Sequence, residues 1–139
     1  MTAELLLDTG PLVALLDASE RRHADCASTL SAWRGTVVTT EAVVTEAAYL
    51  LSSAGGDGTL PIQFCLRGGA TMKAWTDARA DRAGSLIRKY RDVPMDYADA
   101  TLVALAEELD TSNVFTLDLR GFRTYRWKTR RAFKIYPPP

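Results

Sequence analysis

The stretch LLLDTGPLVALLD, residues 5–17, changes its apolar period at an acid, Asp8. Glu4 to Leu7 is a short apolar run, the mark of a buried strand, and Asp8-Thr9-Gly10-Pro11 closes it with turn-forming residues. Pro11 suits the first turn of a helix, where its missing N–H costs nothing. Leu12, Leu15 and Leu16 then repeat with helical spacing. A carboxylate at such a seam either caps the helix or belongs to a site at the end of the strand.

The rest of the chain repeats this alternation. A helix is expected from about Glu20 to Trp33, ending near Gly35, and Thr36-Val37-Val38-Thr39 reads as a β-branched strand. Thr40 caps a helix carrying Val43, Val44, Ala47, Ala48, Leu50 and Leu51, which stops at Gly55-Gly56. Leu60 to Leu66 reads as a short helix, and Ala70 to Trp75 as a strand of weak pattern. Helices follow from Asp77 to about Tyr90, capped by Thr76, and from Tyr97 to Leu109, the latter strongly amphipathic. Asn113 to Leu117 is a second buried strand ending in Asp118. Phe133 to Tyr136 is an edge strand, because Pro137 to Pro139 cannot continue pairing. Strands alternating with helices predict one α/β domain over residues 1–139, a three-layer sandwich around a mostly parallel sheet. Its functional crevice would lie at the carboxyl ends of the strands.

Four acids fall at that end. Asp8 and Asp118 each follow a strand, Glu46 lies a turn and a half into a helix, and Asp99 lies early in another. Asp96, three residues before Asp99, shares its face or caps the helix. Singly, each acid has an ordinary structural role as a cap or a solvated residue. Together, carboxylates crowded at one mouth repel, and they need protons or cations to persist. At neutral pH a hard cation with oxygen ligands, Mg²⁺ or Mn²⁺, is the economical solution. Such a site leaves positions for phosphate oxygens and would serve phosphodiester hydrolysis.

Composition narrows the choices. The 139 residues carry 17 basic and 17 acidic side chains, yet no acid follows Asp118. The tail after it holds Arg120, Arg123, Arg126, Lys128, Arg130, Arg131 and Lys134, so the earlier part is correspondingly acidic. An acidic pocket beside a basic rim suits a polyanionic partner, although a solvated basic tail reads the same way from charge alone. The one histidine, His23, excludes a nuclease using two histidines as acid and base. There is no P-loop, GxSxG or GxGxxG pattern. Cys26 and Cys65 have no metal or redox spacing and read as small core or surface residues. The start MTAELLLD has no basic leader, and LVALL is too short to cross a bilayer, so a cytoplasmic protein with no membrane association is expected.

The pieces LLLDTGPLVALLD, TTEAVVTEAAYLL, MDYADATLVALAEEL and VFTLDLRGF, in this order, resemble the PIN-domain ribonucleases. They look most like the toxin component of bacterial VapBC toxin–antitoxin pairs. The resemblance covers most of the chain. It implies a five-stranded parallel sheet, a Mg²⁺- or Mn²⁺-dependent endoribonuclease acting on RNA, a homodimer, and a cognate antitoxin docking near the cleft. It places the metal and catalytic residues at Asp8, Glu46, Asp99 and Asp118, with Glu46 completing the pocket or positioning the attacking water. Thr9, Asp96 and Thr116 would support them, the threonines by bonding a carboxylate or a water on the metal. Arg120 and Arg123 would hold the RNA backbone, and Tyr125 or Trp127 would stack on bases or pack at the sheet edge. Many relatives carry an acid where this chain has Arg120, which weakens a second metal position. The alternatives are a non-catalytic RNA- or protein-binding domain of the same fold and, behind it, a phosphatase or receiver domain. Against a phosphatase, Gly10 replaces the second Asp; against a receiver, the paired early acids and late lysine are missing.

Overall fold

The computed structural model describes residues 3–139, so Met1 and Thr2 of the expected 1–139 domain lie outside the described residues. Leu5, Leu6 and Leu7 complete strand β1 (Glu4–Leu7) and are fully buried. A strand apolar on both faces belongs inside a sheet covered on both sides. Along the chain follow α1 (Thr9–Leu16), α2 (His23–Ala32), β2 (Thr36–Thr40), α3 (Glu41–Ser53), α4 (Leu60–Leu66) and β3 (Thr71–Lys73). Then come α5 (Asp77–Lys89), α6 (Tyr97–Leu109), β4 (Asn113–Phe115), α7 (Leu119–Thr124) and β5 (Lys134–Tyr136).

Among the described residues the strands make one five-stranded sheet in the order β3-β2-β1-β4-β5. Every neighbouring pair is parallel, so the sheet expected to be mostly parallel is wholly so. The chain lays β2 and β3 outward on one side of β1, then returns to place β4 on the other. The winding therefore reverses between β1 and β4, and the crevice outside their carboxyl ends is where open sheets of this kind hold ligands. Leu6 pairs with Val114 and Leu7 with Phe115, and Asp8 N–H donates to Phe115 O at 2.9 Å. Both strands thus release their following segments at one level.

The core joins the β1 leucines, Val114 and Phe115 to the helices, above all α6. Burying each Leu or Phe contributes about 1.5–3 kcal/mol. The amphipathic α6 expected from the sequence is instead buried on every side from Ala100 to Ala106. It packs on α5, α3, β1 and β2 at once, and its alanines permit that close approach.

The elements differ from the sequence reading mainly at their ends. Helix α2 begins at His23, not Glu20, because Glu20 to Arg22 form a turn in which His23 N–H donates to Glu20 O. Strand β4 stops at Phe115, where the chain bends into the acid-capped α7. Helix α7 has no sequence signature, for its six residues contain Gly121 and two arginines and lack apolar periodicity. Strand β3 is short and largely exposed at the sheet edge, which explains its weak pattern. Strand β5 lies at the other edge as expected.

Candidate active site

Asp8 leaves β1 in extended conformation and caps α1. Its Oδ1 accepts from Thr9 N–H at 2.8 Å, and its Oδ2 accepts from Thr116 Oγ1–H at 2.7 Å. The carboxylate is buried, only 6% exposed. The Thr116 hydroxyl has one proton, which goes to Asp8, and its lone pair accepts from Asp118 N–H at 3.0 Å. Thr116 thus ties the two strand-end acids together. Asp118 caps α7 by accepting from Gly121 N–H at 3.1 Å, while its residue remains exposed. A side chain at position 121 would collide with Asp118 Oδ2, so the glycine is what lets the carboxylate sit there.

The second pair comes from α6. Asp96 caps it, accepting from Asp99 N–H at 2.8 Å, and Asp99 Oδ2 accepts in return from Asp96 N–H at 3.4 Å. This reciprocal cap satisfies helix-end donors and fixes both acids at the start of α6. Tyr125 O–H donates to Asp99 Oδ2 at 3.4 Å from the end of α7.

The acids feel one another. Burial first, then the Asp96 and Asp118 charges, push Asp8 up from 3.8 to about 6, against the Thr116 and Thr9 hydrogen bonds. Asp99 rises further, to about 8, through burial and the charges of Asp8, Asp96 and Asp118. Asp8 ionises first, and its charge then opposes the ionisation of Asp99. The Tyr125 phenol is pushed up by burial and by the Asp99 and Asp118 charges, so it stays a donor.

Of the residues singled out in the sequence, Asp8, Asp96, Asp99, Asp118 and Thr116 form this connected array. Glu46 lies half-buried on α3, and it is not among the strongest charges acting on Asp8 and Asp99. Thr9 serves Asp8 through its main-chain N–H, not its hydroxyl. Arg120 and Arg123 are exposed on α7 and join no ion pair among the described residues. Much of the remaining basic tail is engaged: Lys128 bonds Asp110 at 2.7 Å, Arg131 lies over the Trp127 ring, and Arg126 donates to three carbonyls. Tyr125 and Trp127 are buried, which removes them as base-stacking surfaces. Tyr125 packs edge-on against Tyr90 and Phe122. Its bond to Asp99 and the role of Gly121 were missed in the sequence, since α7 itself carries no periodic signal.

The donor set fits a hard divalent cation. Carboxylates that raise one another are relieved by a cation as well as by protons, and Thr9 Oγ1 is buried beside Asp8 without a partner. Among the described residues, no three His, Cys, Asp or Glu side chains converge tightly enough to bind one ion directly. The arrangement therefore suits an ion held by one or two carboxylates with waters completing its shell, the habit of Mg²⁺.

The PIN domain pattern matches residues 5–128, and the chain belongs to that family. It is 33% identical over 135 residues to Ribonuclease VapC26 of Mycobacterium tuberculosis (strain ATCC 25618 / H37Rv), an alignment spanning 96% of this chain and 100% of that protein. The fold is similar to Mycobacterium tuberculosis VapC20, described as a sarcin–ricin loop cleaving toxin. That match has a TM-score of 0.73 at 19% identity and covers 83% of this chain and 90% of the other. It is also similar to VapBC2 of Rickettsia felis bound to a DNA fragment from its promoter, with a TM-score of 0.67 at 12% identity, over 96% and 98% of the chains.

Proposed function

We propose that this chain is a Mg²⁺- or Mn²⁺-dependent endoribonuclease and the toxin of a type II toxin–antitoxin pair. The carrying observation is the Asp8–Thr116–Asp118 array facing Asp99 at the switch point, with three carboxylates whose mutual repulsion calls for a cation. The likeness to Ribonuclease VapC26 over nearly the whole chain supports the reaction class. Asp8, Asp99 and Asp118 would hold the ion, one or two of them directly and the rest through its waters, and Glu46 would complete the pocket from α3. When bound, the ion supplies neutralisation of the scissile phosphate and a lowered water pKa.

The chain's own groups do the rest. Thr116 fixes the Asp8 carboxylate, Tyr125 steadies Asp99, and Asp96 holds the start of α6 in place. Arg120 and Arg123, exposed on α7, would take backbone phosphates, so affinity would fall with salt and carry little sequence information.

The likeness to VapBC2 of Rickettsia felis supports an antitoxin partner. An apolar cleft of about 750 Å³ beside α3 and α4, with Ile62 and Leu66 exposed, offers a surface for it or for a second copy. No described helix is long and apolar enough to cross a membrane; cytoplasmic action is part of this proposal.

The test is cleavage of RNA by purified protein with Mg²⁺ or Mn²⁺, comparing wild type with Asp8→Asn and sequencing the 5′ ends of the fragments. Loss of metal-dependent cleavage in the variant supports the assignment. An active variant with unaltered metal dependence refutes it. A wild-type protein that binds RNA but releases no product at any Mn²⁺ concentration is instead a non-catalytic domain of the same fold.

A further inference from the structure

Beside the acidic mouth, at the carboxyl ends of β2 and β3, a cleft of about 230 Å³ carries two exposed aromatic rings. Trp75 follows β3 and is 64% exposed; Tyr97 opens α6 and is 41% exposed. Their ring centroids lie 6.4 Å apart, tilted by 39°. Exposing a tryptophan and a tyrosine side by side forgoes the stabilisation that burying them would give.

The rings are also held still. The Trp75 indole N–H donates to Asp77 at 3.0 Å. Thr76 caps α5 immediately after it, accepting from Arg79 N–H at 3.1 Å. Arg79 is buried, makes a two-point bond with Glu108 at 2.6 and 2.8 Å, and donates to Ala74 O at 2.5 Å. The loop bearing Trp75 is thereby fastened to α5 and α6. Tyr97 opens α6 between the Asp96 cap and Asp99 in sequence, which puts its backbone in the same first turn as the acidic pair.

The surroundings select the ligand. Lys73, at the end of β3, provides a cation beside the rings, and Glu41 and Thr45 provide acceptors on the facing wall. A flat aromatic surface, a cation and hydrogen-bond acceptors suit a nucleobase attached to a phosphate. We infer that Trp75 and Tyr97 form a stacking platform that seats an unpaired base of the RNA strand whose phosphodiester lies at Asp8 and Asp99. This rests on the ribonuclease reading above. It makes the preferred substrate one with an unstacked base near the cut, a loop or bulge, and it favours purines, which stack over a larger area.

The experiment uses the full chain carrying Asp8→Asn, with Mg²⁺ present, and titrates short oligoadenylate, oligouridylate and inorganic polyphosphate while following binding by isothermal titration calorimetry. Oligoadenylate binds more tightly than oligouridylate. Trp75→Ala and Tyr97→Ala each weaken oligoadenylate about fivefold to a hundredfold. Trp75→Phe retains most of the affinity, and polyphosphate binding is the same in every variant. Equal oligoadenylate affinity across the variants overturns the platform, and so does an equal loss towards polyphosphate. A weakened association of protein chains with RNA binding intact overturns it in favour of a protein contact. The two readings fail separately: if wild type cleaves RNA but the aromatic variants bind like their parent, only the platform falls. If Trp75-dependent binding holds but wild type cuts nothing, only the nuclease falls.

Discussion

Asp8→Asn should make the metal-free protein more stable while abolishing its activity. Asp8 is almost wholly buried, and burial with its acidic neighbours raises it from 3.8 to about 6. Above pH 7 the folded state therefore bears an ionised carboxylate at a cost of about 3 kcal/mol relative to the unfolded chain. Asparagine removes that charge and still accepts from Thr9 N–H. Its amide now faces Thr116 Oγ1 as a donor, so the Thr116 proton loses its acceptor, at about 1 kcal/mol. The net expectation is about 1–2 kcal/mol of added stability at pH 8, on the order of 3–8 °C in Tm. The pH dependence has a definite sign. Asp8 and Asp99 both have raised folded values, so their stabilising protonation is complete below about pH 4. It is lost as pH rises through about 6 for Asp8 and about 8 for Asp99. Wild type in EDTA is thus less stable at pH 8.5 than at pH 5, and the variant's advantage shrinks towards zero at the lower pH. Urea unfolding of both proteins in EDTA at the two pH values decides the matter. A variant less stable than wild type at pH 8.5, or a difference independent of pH, refutes the account of Asp8 as a buried repelled charge.

Three further outcomes are expected. Thr116→Val keeps the volume but removes the hydroxyl joining Asp8 to Asp118; RNA cleavage should fall at least about tenfold, with a higher Mn²⁺ requirement in the titration and an unchanged far-UV spectrum. Gly121→Ala places a methyl against Asp118 and should cost most of the activity, whereas Gly10→Ala meets only Leu117 at 3.5 Å and should be tolerated in the same cleavage assay. Arg79→Met strips Glu108 and the Ala74 carbonyl of their donor, and denaturant unfolding should show a loss of about 2–3 kcal/mol.

The strand-end acids were legible because local chemistry dictates them. Three leucines running into Asp8-Thr9-Gly10-Pro11 leave little choice but a buried strand, a turn and a capped helix. Asp96 and Asp99 were likewise readable as a helix start, since their three-residue spacing is that of a reciprocal cap. What could not be read depends on partners distant in sequence. Helix α6 looked amphipathic because its pattern does not reveal that four elements surround it. Tyr125 and Trp127 looked available in a basic tail, yet α7 folds them inward, and no periodicity announces a six-residue helix built around Gly121. Glu46 rests on family likeness more than on geometry, for the strongest charges on Asp8 and Asp99 come from elsewhere.

The strand order has a consequence for synthesis. Asp8 leaves the ribosome 108 residues ahead of Thr116, the residue whose hydroxyl orients it. Strand β4 can join β1 only after Asn113–Phe115 have emerged as well. A nascent or truncated chain that ends before β4 therefore carries Asp8 and Asp99 without Thr116 or Asp118, and the pocket cannot assemble on it.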